Sequence, residues 1–186
     1  MVPYTKCILN GQQCIQFFSR SADLDSRYLS NFAEVTSGLT IPKQFIVKDM
    51  EGMTFPTVEH AFQASKLITS HVAITSDEIM KLCDLKENKL TSQQAKTSGG
   101  RKHFNSIGIT LDVAKWNAIA IDVMRELIVA RYTTDERFKD IILDMKKNQL
   151  QLKHFERSGG KSVWGGCFKE GLWVGQNRLG EIMDGL

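Results

Sequence analysis

The sequence predicts one α+β domain that is mostly helical and has a small β-sheet. Apolar side chains recur at helical spacing along much of the chain, whereas β-branched and aromatic residues are concentrated in only a few short segments. The 186 residues contain no internal repeat and no Pro- or Ser-rich linker. We therefore expect residues 1–186 to form a single domain.

The first predicted elements are strands. Residues 14–18 are rich in β-branched and aromatic side chains, which favours a short strand. Residues 44–48 and 53–55 flank Asp49-Met50-Glu51-Gly52, and the glycine supplies the positive φ of a turn, so we expect a β-hairpin that Pro56 ends. Residues 150–156 alternate apolar and polar side chains, as expected for an exposed strand.

Helical spacing begins after Thr57. The stripe of this first helix consists of Val58, Ala61, Phe62, Ser65 and Ile68. A second helix is predicted to start at Ser76 and to include Ile79, Leu82 and Cys83. A shorter helix follows over residues 91–98, and Gly99-Gly100 ends it.

The most regular apolar stripe predicts a central core helix over residues 112–132. Its members are Val113, Trp116, Ala120, Val123, Met124 and Leu127. Thr133 and Glu136 have capping-box spacing and predict the start of the next helix, whose apolar face is Phe138, Ile141, Ile142 and Met145. A last short helix is predicted over residues 177–184, with Leu179, Ile182 and Met183 facing inward.

Composition and charge exclude several classes of protein. A 42% hydrophobic content argues against a disordered chain. No run approaches the roughly 20 apolar residues of a membrane span, and the first residues show no leader pattern, so a cytoplasmic protein is expected. A net charge of +3 is too small for the basic face of a dedicated nucleic-acid binder, which leaves anionic small ligands possible.

Cysteines and histidines are dispersed along the chain. The cysteines are Cys7, Cys14, Cys83 and Cys167, and no two form a C-x-x-C pair, so we expect reduced, structural thiols. The histidines are His60, His71, His103 and His154, and no two share the spacing of one helical turn. We expect no metal site and no cofactor.

Three side chains on the first long helix are candidates for chemistry. Glu59, Gln63 and Lys66 are spaced by four and then three residues, so they project from one side of the helix at the rim of its apolar stripe. A carboxylate and an ammonium that are half-buried there would have shifted pKa values and could act as an acid or a base. The alternative is an ordinary pair of surface charges.

Two glycine-rich segments are further candidates. Trp164 precedes Gly165-Gly166, where backbone N–H groups could approach a ligand and the indole could stack on a base or sugar. A helix starting at Asn177 would direct its N-terminus toward a phosphate; alternatively, the segment is a loop over a core tryptophan. Gly99-Gly100-Arg101-Lys102 could be a phosphate clasp or a helix cap with two solvated cations.

Several blocks, taken in order, resemble the NADAR family, also called YbiA-like. They are Ile15-Gln16-Phe17-Phe18, Leu29-Ser30-Asn31-Phe32, the block from Phe55 to Lys66 that contains E-H-x-F-Q-x-x-K, Gly100-Arg101, Trp116 eight residues ahead of Met124, Trp164-Gly165, and the G-Q-N-R-L-G block from Gly175 to Gly180. The resemblance spans from about Ile15 to Met183. It implies a single, mostly helical α+β domain.

The resemblance also implies an activity. The family hydrolyses N-glycosidic bonds between a ribose and a nitrogenous group, either in ADP-ribose attached to guanine in nucleic acid or in a ribosylamine phosphate intermediate of riboflavin synthesis. It implies Glu59 and Lys66 as catalytic residues. The implied substrate-binding residues are Asn31, His60, Gln63, Arg101, Trp116, Glu156, Trp164, Gly165 and Asn177. The expected partner is such a ribosyl substrate, free or attached to nucleic acid, and we expect a monomer with no membrane association.

The chain departs from the family pattern at two positions. Lys161 stands where an acidic residue often precedes the tryptophan of the W-G pair, and Lys115 stands where an aspartate often precedes the helix tryptophan. Glu156, eight residues ahead of Trp164, keeps an acidic group nearby. Breaking a C1′–N bond needs a carboxylate near the ribose, for which Glu59 is suited, while Lys66 could hold ribose hydroxyls or attack C1′ as an amine. The departures leave a noncatalytic ADP-ribose or nucleotide-binding module as the alternative.

Overall fold

The computed structural model describes residues 6–9, 11–71 and 90–186, and within them the predicted α+β class, mostly helical with small sheets, is confirmed. The helices are α1 (Leu24–Tyr28), α2 (Val58–Ser65), α3 (Ser92–Ser98), α4 (Arg101–Ser106), α5 (Val113–Thr134), α6 (Glu136–Lys147) and α7 (Arg178–Asp184). The strands are β1 (Lys6–Leu9), β2 (Gln12–Phe17), β3 (Glu34–Thr40), β4 (Thr54–Thr57), β5 (Gln151–His154), β6 (Cys167–Lys169) and β7 (Leu172–Val174).

The chain forms two compact units. The first combines Met1–Ala33 with Asp135–Leu186, and the second is Glu34–Thr134. The helix predicted to start at Ser76 lies outside the described residues.

A three-stranded sheet in the order β1-β2-β5 organises the first unit. β2 pairs antiparallel with β1 and parallel with β5, with Cys14 opposite Gln151 and Phe17 opposite His154. The strands predicted around residues 14–18 and 150–156 are confirmed. β5 is not an exposed strand, however, because Leu152 is buried and its flanking residues are half-buried.

The sulfur atoms of two cysteines are joined in this sheet. Cys7 and Cys14 face each other across β1 and β2 with their Cα atoms 4.9 Å apart, and they form a disulfide. The expectation of reduced thiols is wrong for this pair, because antiparallel register brings together residues whose sequence spacing gave no such signal. Cys167 is free and buried, and Cys83 lies outside the described residues.

Two helices complete the first unit. The predicted buried face of α6, with Phe138, Ile141, Ile142 and Met145, is confirmed. α7 packs on β5 and buries Leu179 and Met183, whereas Ile182 is half-buried. The predicted capping box is wrong: Thr133 lies in the last turn of α5, and Asp135 caps α6 by accepting a hydrogen bond from the Phe138 N–H at 3.1 Å.

In the second unit, β4 pairs antiparallel with β3, so the predicted hairpin within residues 44–55 is wrong. Lys43–Phe45 and Lys48–Met50 form short 3₁₀ turns, and Pro56 lies inside β4 instead of ending it. Gly52 does adopt the predicted positive φ, at 81°. Gly38, with φ of 71°, lies between the β3 residues Glu34 and Leu39 where the pairing register shifts, which hides this strand from a simple alternation pattern.

Helices α2, α3 and α5 form the rest of the second unit. The predicted starts of α2 and α3 are confirmed, at Thr57 and Thr91, which both cap their helices through the side-chain oxygen. The core position predicted for α5 holds only in its C-terminal half, where Val123, Met124, Leu127 and Ile128 are buried; Val113 is exposed. Within the described parts of the chain, no helix is long and apolar enough to span a membrane.

Removal of the Asp135 carboxylate tests the observed α6 cap. Asp135 accepts the Phe138 N–H and also a hydrogen bond from the Tyr28 hydroxyl at 3.0 Å. We expect Asp135→Ala to lower the free energy of unfolding by about 1–3 kcal/mol in urea denaturation. Glu136→Ala removes an exposed first-turn carboxylate together with its exposed ion pair to Lys139 at 3.8 Å, and should cost less than about 0.5 kcal/mol. Equal losses for the two variants would contradict the assignment of the cap.

Candidate active site

The core of the second unit contains a short helix with no exposed residue. All eight residues of α2 are buried, including Glu59, which is 6% exposed. Glu59 lies in the first turn, where the helix dipole favours a carboxylate. A charged side chain buried at this position requires hydrogen-bonding partners.

The structure brings together Glu59, Gln63 and Lys66, the three side chains that their sequence spacing indicated. Gln63 Nε2 donates to Glu59 Oε1 at 2.8 Å, and Lys66 Nζ donates to Gln63 Oε1 at 2.5 Å. The Gln63 amide therefore joins an acceptor-only carboxylate to a donor-only ammonium, and each end of the amide faces the group it can satisfy. Gln63 was predicted as a substrate contact, and in this structure both ends of its amide are used within the protein.

The Lys66 ammonium has a second acceptor and an aromatic surround. Its Nζ donates to the Gly99 carbonyl at 2.7 Å and lies 5.8 Å from the Trp116 ring centroid and 6.0 Å from that of Phe62. The two rings pack edge to face at 5.1 Å. Burial lowers the pKa of Lys66 to about 8; the Glu59 carboxylate raises this pKa, and Lys96 lowers it further.

His60 has a structural position in the same helix. Its Nε2 lies 2.8 Å from the Leu90 carbonyl and must carry the proton, so Nδ1 accepts from the Thr57 hydroxyl at 2.8 Å. Burial lowers the pKa of His60, which favours this neutral form. Because both ring nitrogens are used, we expect His60 to hold the start of α2 and not to contact a ligand.

Gly99 and Gly100 form helix caps. The Gly99 N–H donates to the Ala95 carbonyl at 2.8 Å and the Gly100 N–H to the Thr97 carbonyl at 3.0 Å. Both N–H groups thus bond to carbonyls of α3, as the capping interpretation expects, and a phosphate contact at this segment stays a prediction that depends on Arg101. Arg101, a predicted substrate contact, is an exposed residue at the first position of α4.

In the first unit, the glycine-rich segment is packed against its own backbone. The Arg178 N–H donates to the Val163 carbonyl and the Leu179 N–H to the Trp164 carbonyl, both at 3.1 Å. Two of the N–H groups at the N-terminus of α7 are therefore used within the protein, and phosphate binding at this helix end stays a prediction. Gly165 leaves room for the chain rather than for a ligand, since a Cβ there would lie 2.5 Å from the His154 carbonyl oxygen.

Asn177 ties α7 to the sheet. It has a φ of 54°, its Oδ1 accepts from the His154 N–H at 2.8 Å, and its Nδ2 donates to the Leu152 carbonyl at 2.9 Å. The side chain is 3% exposed. This predicted substrate contact thus bonds to β5 on both sides of its amide.

The remaining candidates belong to the first unit, and one of them, Glu156, contacts the buried hydroxyl of Ser162. Ser162 Oγ accepts from the Gly165 N–H at 2.9 Å and donates to the Glu156 carboxylate. Trp164 is half-buried, and Asn31 is buried just after α1. Lys161 is exposed at the end of the 3₁₀ turn Gly159–Lys161.

The sequence did not predict two of these contacts, the one from the Gly99 carbonyl to Lys66 and those of the Ser162 hydroxyl. Gly99 was interpreted as a helix stop, yet its carbonyl binds Lys66, and the only sequence signal was the glycine pair itself. No sequence pattern indicated a role for Ser162, because its contacts with Glu156 and Gly165 depend on how the glycine-rich segment folds. Among the described residues, no cluster of three or more His, Cys, Asp or Glu side chains could hold a metal ion.

Comparisons with known proteins agree with the fold. The family model for the NADAR domain matches residues 17–186. The chain is similar to the NMR structure of the E. coli protein YbiA, with a TM-score of 0.59 and 22% identity over 91% of this chain and 80% of that chain. At this identity the likeness shows the fold alone. A search of curated proteins gives no significant match.

Substitution of Asn177 separates its structural role from a ligand contact. Both Asn177→Gly and Asn177→Ala lose the two bonds to β5, but only alanine is strained at positive φ. We expect both variants to unfold at lower urea concentration, with alanine less stable than glycine by about 1 kcal/mol. A variant that keeps the wild-type urea midpoint but loses affinity for ADP-ribose would contradict the structural role.

Proposed function

The chain belongs to the NADAR family, whose model covers residues 17–186, and from this premise we propose that it is an N-glycosidase that hydrolyses the bond between ribose C1′ and a nitrogen. The observation that carries the proposal is the hydrogen-bonded chain from Glu59 through Gln63 to Lys66. It combines a buried carboxylate in α2 with a partly desolvated lysine in the 3₁₀ turn Lys66–Thr69, which directly follows that helix. Such a combination is typical of sites that perform acid–base or charge-stabilising chemistry.

The proposed role of Glu59 follows from the charge that the reaction creates. As the C1′–N bond breaks, positive charge develops on the ribose, water adds to C1′, and the departing nitrogen takes up a proton. A carboxylate beside C1′ stabilises that charge or accepts the proton of the attacking water. The Gln63 amide supports this role because its Nε2 donates to Glu59 Oε1 and so fixes the carboxylate through a neutral partner.

Lys66 is proposed to hold ribose hydroxyls as an ammonium. Its two protein acceptors, Gln63 Oε1 and the Gly99 carbonyl, orient the group and leave a third N–H for a substrate oxygen. Attack on C1′ by the neutral amine is the competing mechanism, and a pKa of about 8 makes it chemically accessible. The two mechanisms require opposite protonation states of Lys66, so the pH dependence of the rate distinguishes them.

Two substrate classes fit the proposal: ADP-ribosyl-guanine in nucleic acid and a ribosylamine phosphate of riboflavin synthesis. Both present a ribose C1′–N bond and a phosphate group. Direct incubation with each compound, followed by mass detection of the released base or amine, tests the activity and chooses the class. Saturable ADP-ribose binding without release from either substrate would instead indicate the noncatalytic binding module.

Neutralisation of Glu59 tests its role. Glu59→Gln keeps an oxygen that can accept from Gln63 but removes the charge, so we expect an unchanged fold and a fall in kcat of at least about 100-fold. Glu136→Gln, which changes an exposed first-turn glutamate of α6, should retain the wild-type rate. A wild-type rate for Glu59→Gln would exclude this residue from the reaction.

The pH profile of kcat/KM tests the protonation state of Lys66. Because its pKa is lowered to about 8, the ammonium is lost as pH rises through that value, and the proposed role predicts that kcat/KM falls there. Lys66→Arg keeps a cation at every accessible pH and should remove this fall. A rate that rises through the same pH would contradict the ammonium role and support amine attack.

A further inference from the structure

Gly99 makes an unusually close approach to the proposed reaction centre. A Cβ built at Gly99 would lie 2.6 Å from both Cβ and Cδ of Gln63, and closer still to Gln63 Oε1. No real side-chain carbon tolerates such contacts, so α3 can end against α2 in this position only with glycine. The same residue presents its carbonyl to Lys66 Nζ at 2.7 Å.

The backbone of Gly99 does not itself require glycine. Its φ is −79° and its ψ is 6°, values that any L-residue adopts without strain. Gly185, which follows α7, has nearly the same conformation, with φ of −82° and ψ of −6°, but the nearest atom to its Cβ would be 3.4 Å away. The need for glycine at position 99 therefore arises from the contact with Gln63.

We propose that Gly99 is a positioning residue, whose missing side chain keeps the Gln63 amide aligned between Glu59 and Lys66 and whose carbonyl orients the ammonium. The proposal rests on the function assigned above to Glu59 and Lys66. The atom of Gln63 that a methyl group would displace first is Oε1, which accepts from Lys66. Its displacement would rotate the amide and withdraw Nε2 from Glu59, so one added carbon disturbs both charged groups.

A purely structural role for Gly99 makes a different prediction. If glycine served only to end α3 or to fit it against α2, a larger residue would lower stability but leave the Gln63 amide and the rate of the folded protein unchanged. A positioning role requires that the amide environment and kcat change together. Misplacement of reacting groups by about 1 Å can cost about 100-fold in rate.

The test compares Gly99→Ala with Gly185→Ala, two C-cap substitutions with matched backbone geometry. The readouts are the melting temperature, the ¹⁵N–¹H signals of the Gln63 side-chain amide, and kcat and KM with the substrate that the wild type cleaves. For Gly99→Ala we expect a lower melting temperature, shifted Gln63 amide signals and a kcat reduced about 100-fold with KM little changed. Gly185→Ala should match the wild type in all readouts of the amide and the rate.

If Gly99→Ala alone does not fold, the same substitution is made in the Gln63→Gly variant, and the stabilities are compared there. Gln63→Gly removes the atoms that the new methyl group would meet, so Gly99→Ala should cost little further stability in that background. Wild-type amide signals and kcat in Gly99→Ala would overturn the proposal, as would an equal loss of stability in the Gln63→Gly background. The amide signals and the stability comparison need no substrate, so a wild-type protein without turnover would refute the proposed function while leaving the role of Gly99 open to its own test.

Discussion

The candidate site depends on the side-chain amide of Gln63, which connects the buried carboxylate of Glu59 to the partly buried ammonium of Lys66, about two helical turns farther along the chain. Burial of either charge without a partner would be costly. A direct ion pair would satisfy both charges but would also neutralise them. The amide offers a third solution, because its oxygen accepts from Lys66 and its N–H donates to Glu59. Each charge is held in place, and the Lys66 ammonium, with two protein acceptors for its three N–H donors, keeps one donor for a ligand.

The surroundings of α2 support that arrangement. Thr57 and His60 fix the first turn, and the Leu90 carbonyl fixes the His60 ring. The Phe62 and Trp116 rings lie beside the Lys66 ammonium, and burial lowers the pKa of this group, so it needs acceptors. The Gly99 carbonyl is one such acceptor. Segments that are distant in sequence, at Leu90, Gly99 and Trp116, thus meet α2 and the lysine that follows it.

The sequence was sufficient for features that depend on local spacing. The distances of four and three residues between Glu59, Gln63 and Lys66 predicted that these side chains lie together, and the helical spacing that begins after Thr57 predicted the start of α2. It was not sufficient where contacts join distant segments. β3 pairs with β4 across two 3₁₀ turns, and Asn177 reaches back to β5; neither pairing has a signature in nearby residues. For the same reason, glycines that look like ligand-binding turns proved to be places where two backbones meet.

The central claim is that Lys66 lies in a partly desolvated site joined to Glu59, and its titration tests that claim most directly. In protein with ¹³Cε-labelled lysine, the Lys66 signal, assigned by its loss in Lys66→Arg, should titrate with a pKa of about 8. The site would then hold a cation that is easily deprotonated, as the proposed chemistry requires. A Lys66 pKa at the ordinary value of 10.5 would mean a solvated surface lysine and would contradict the account.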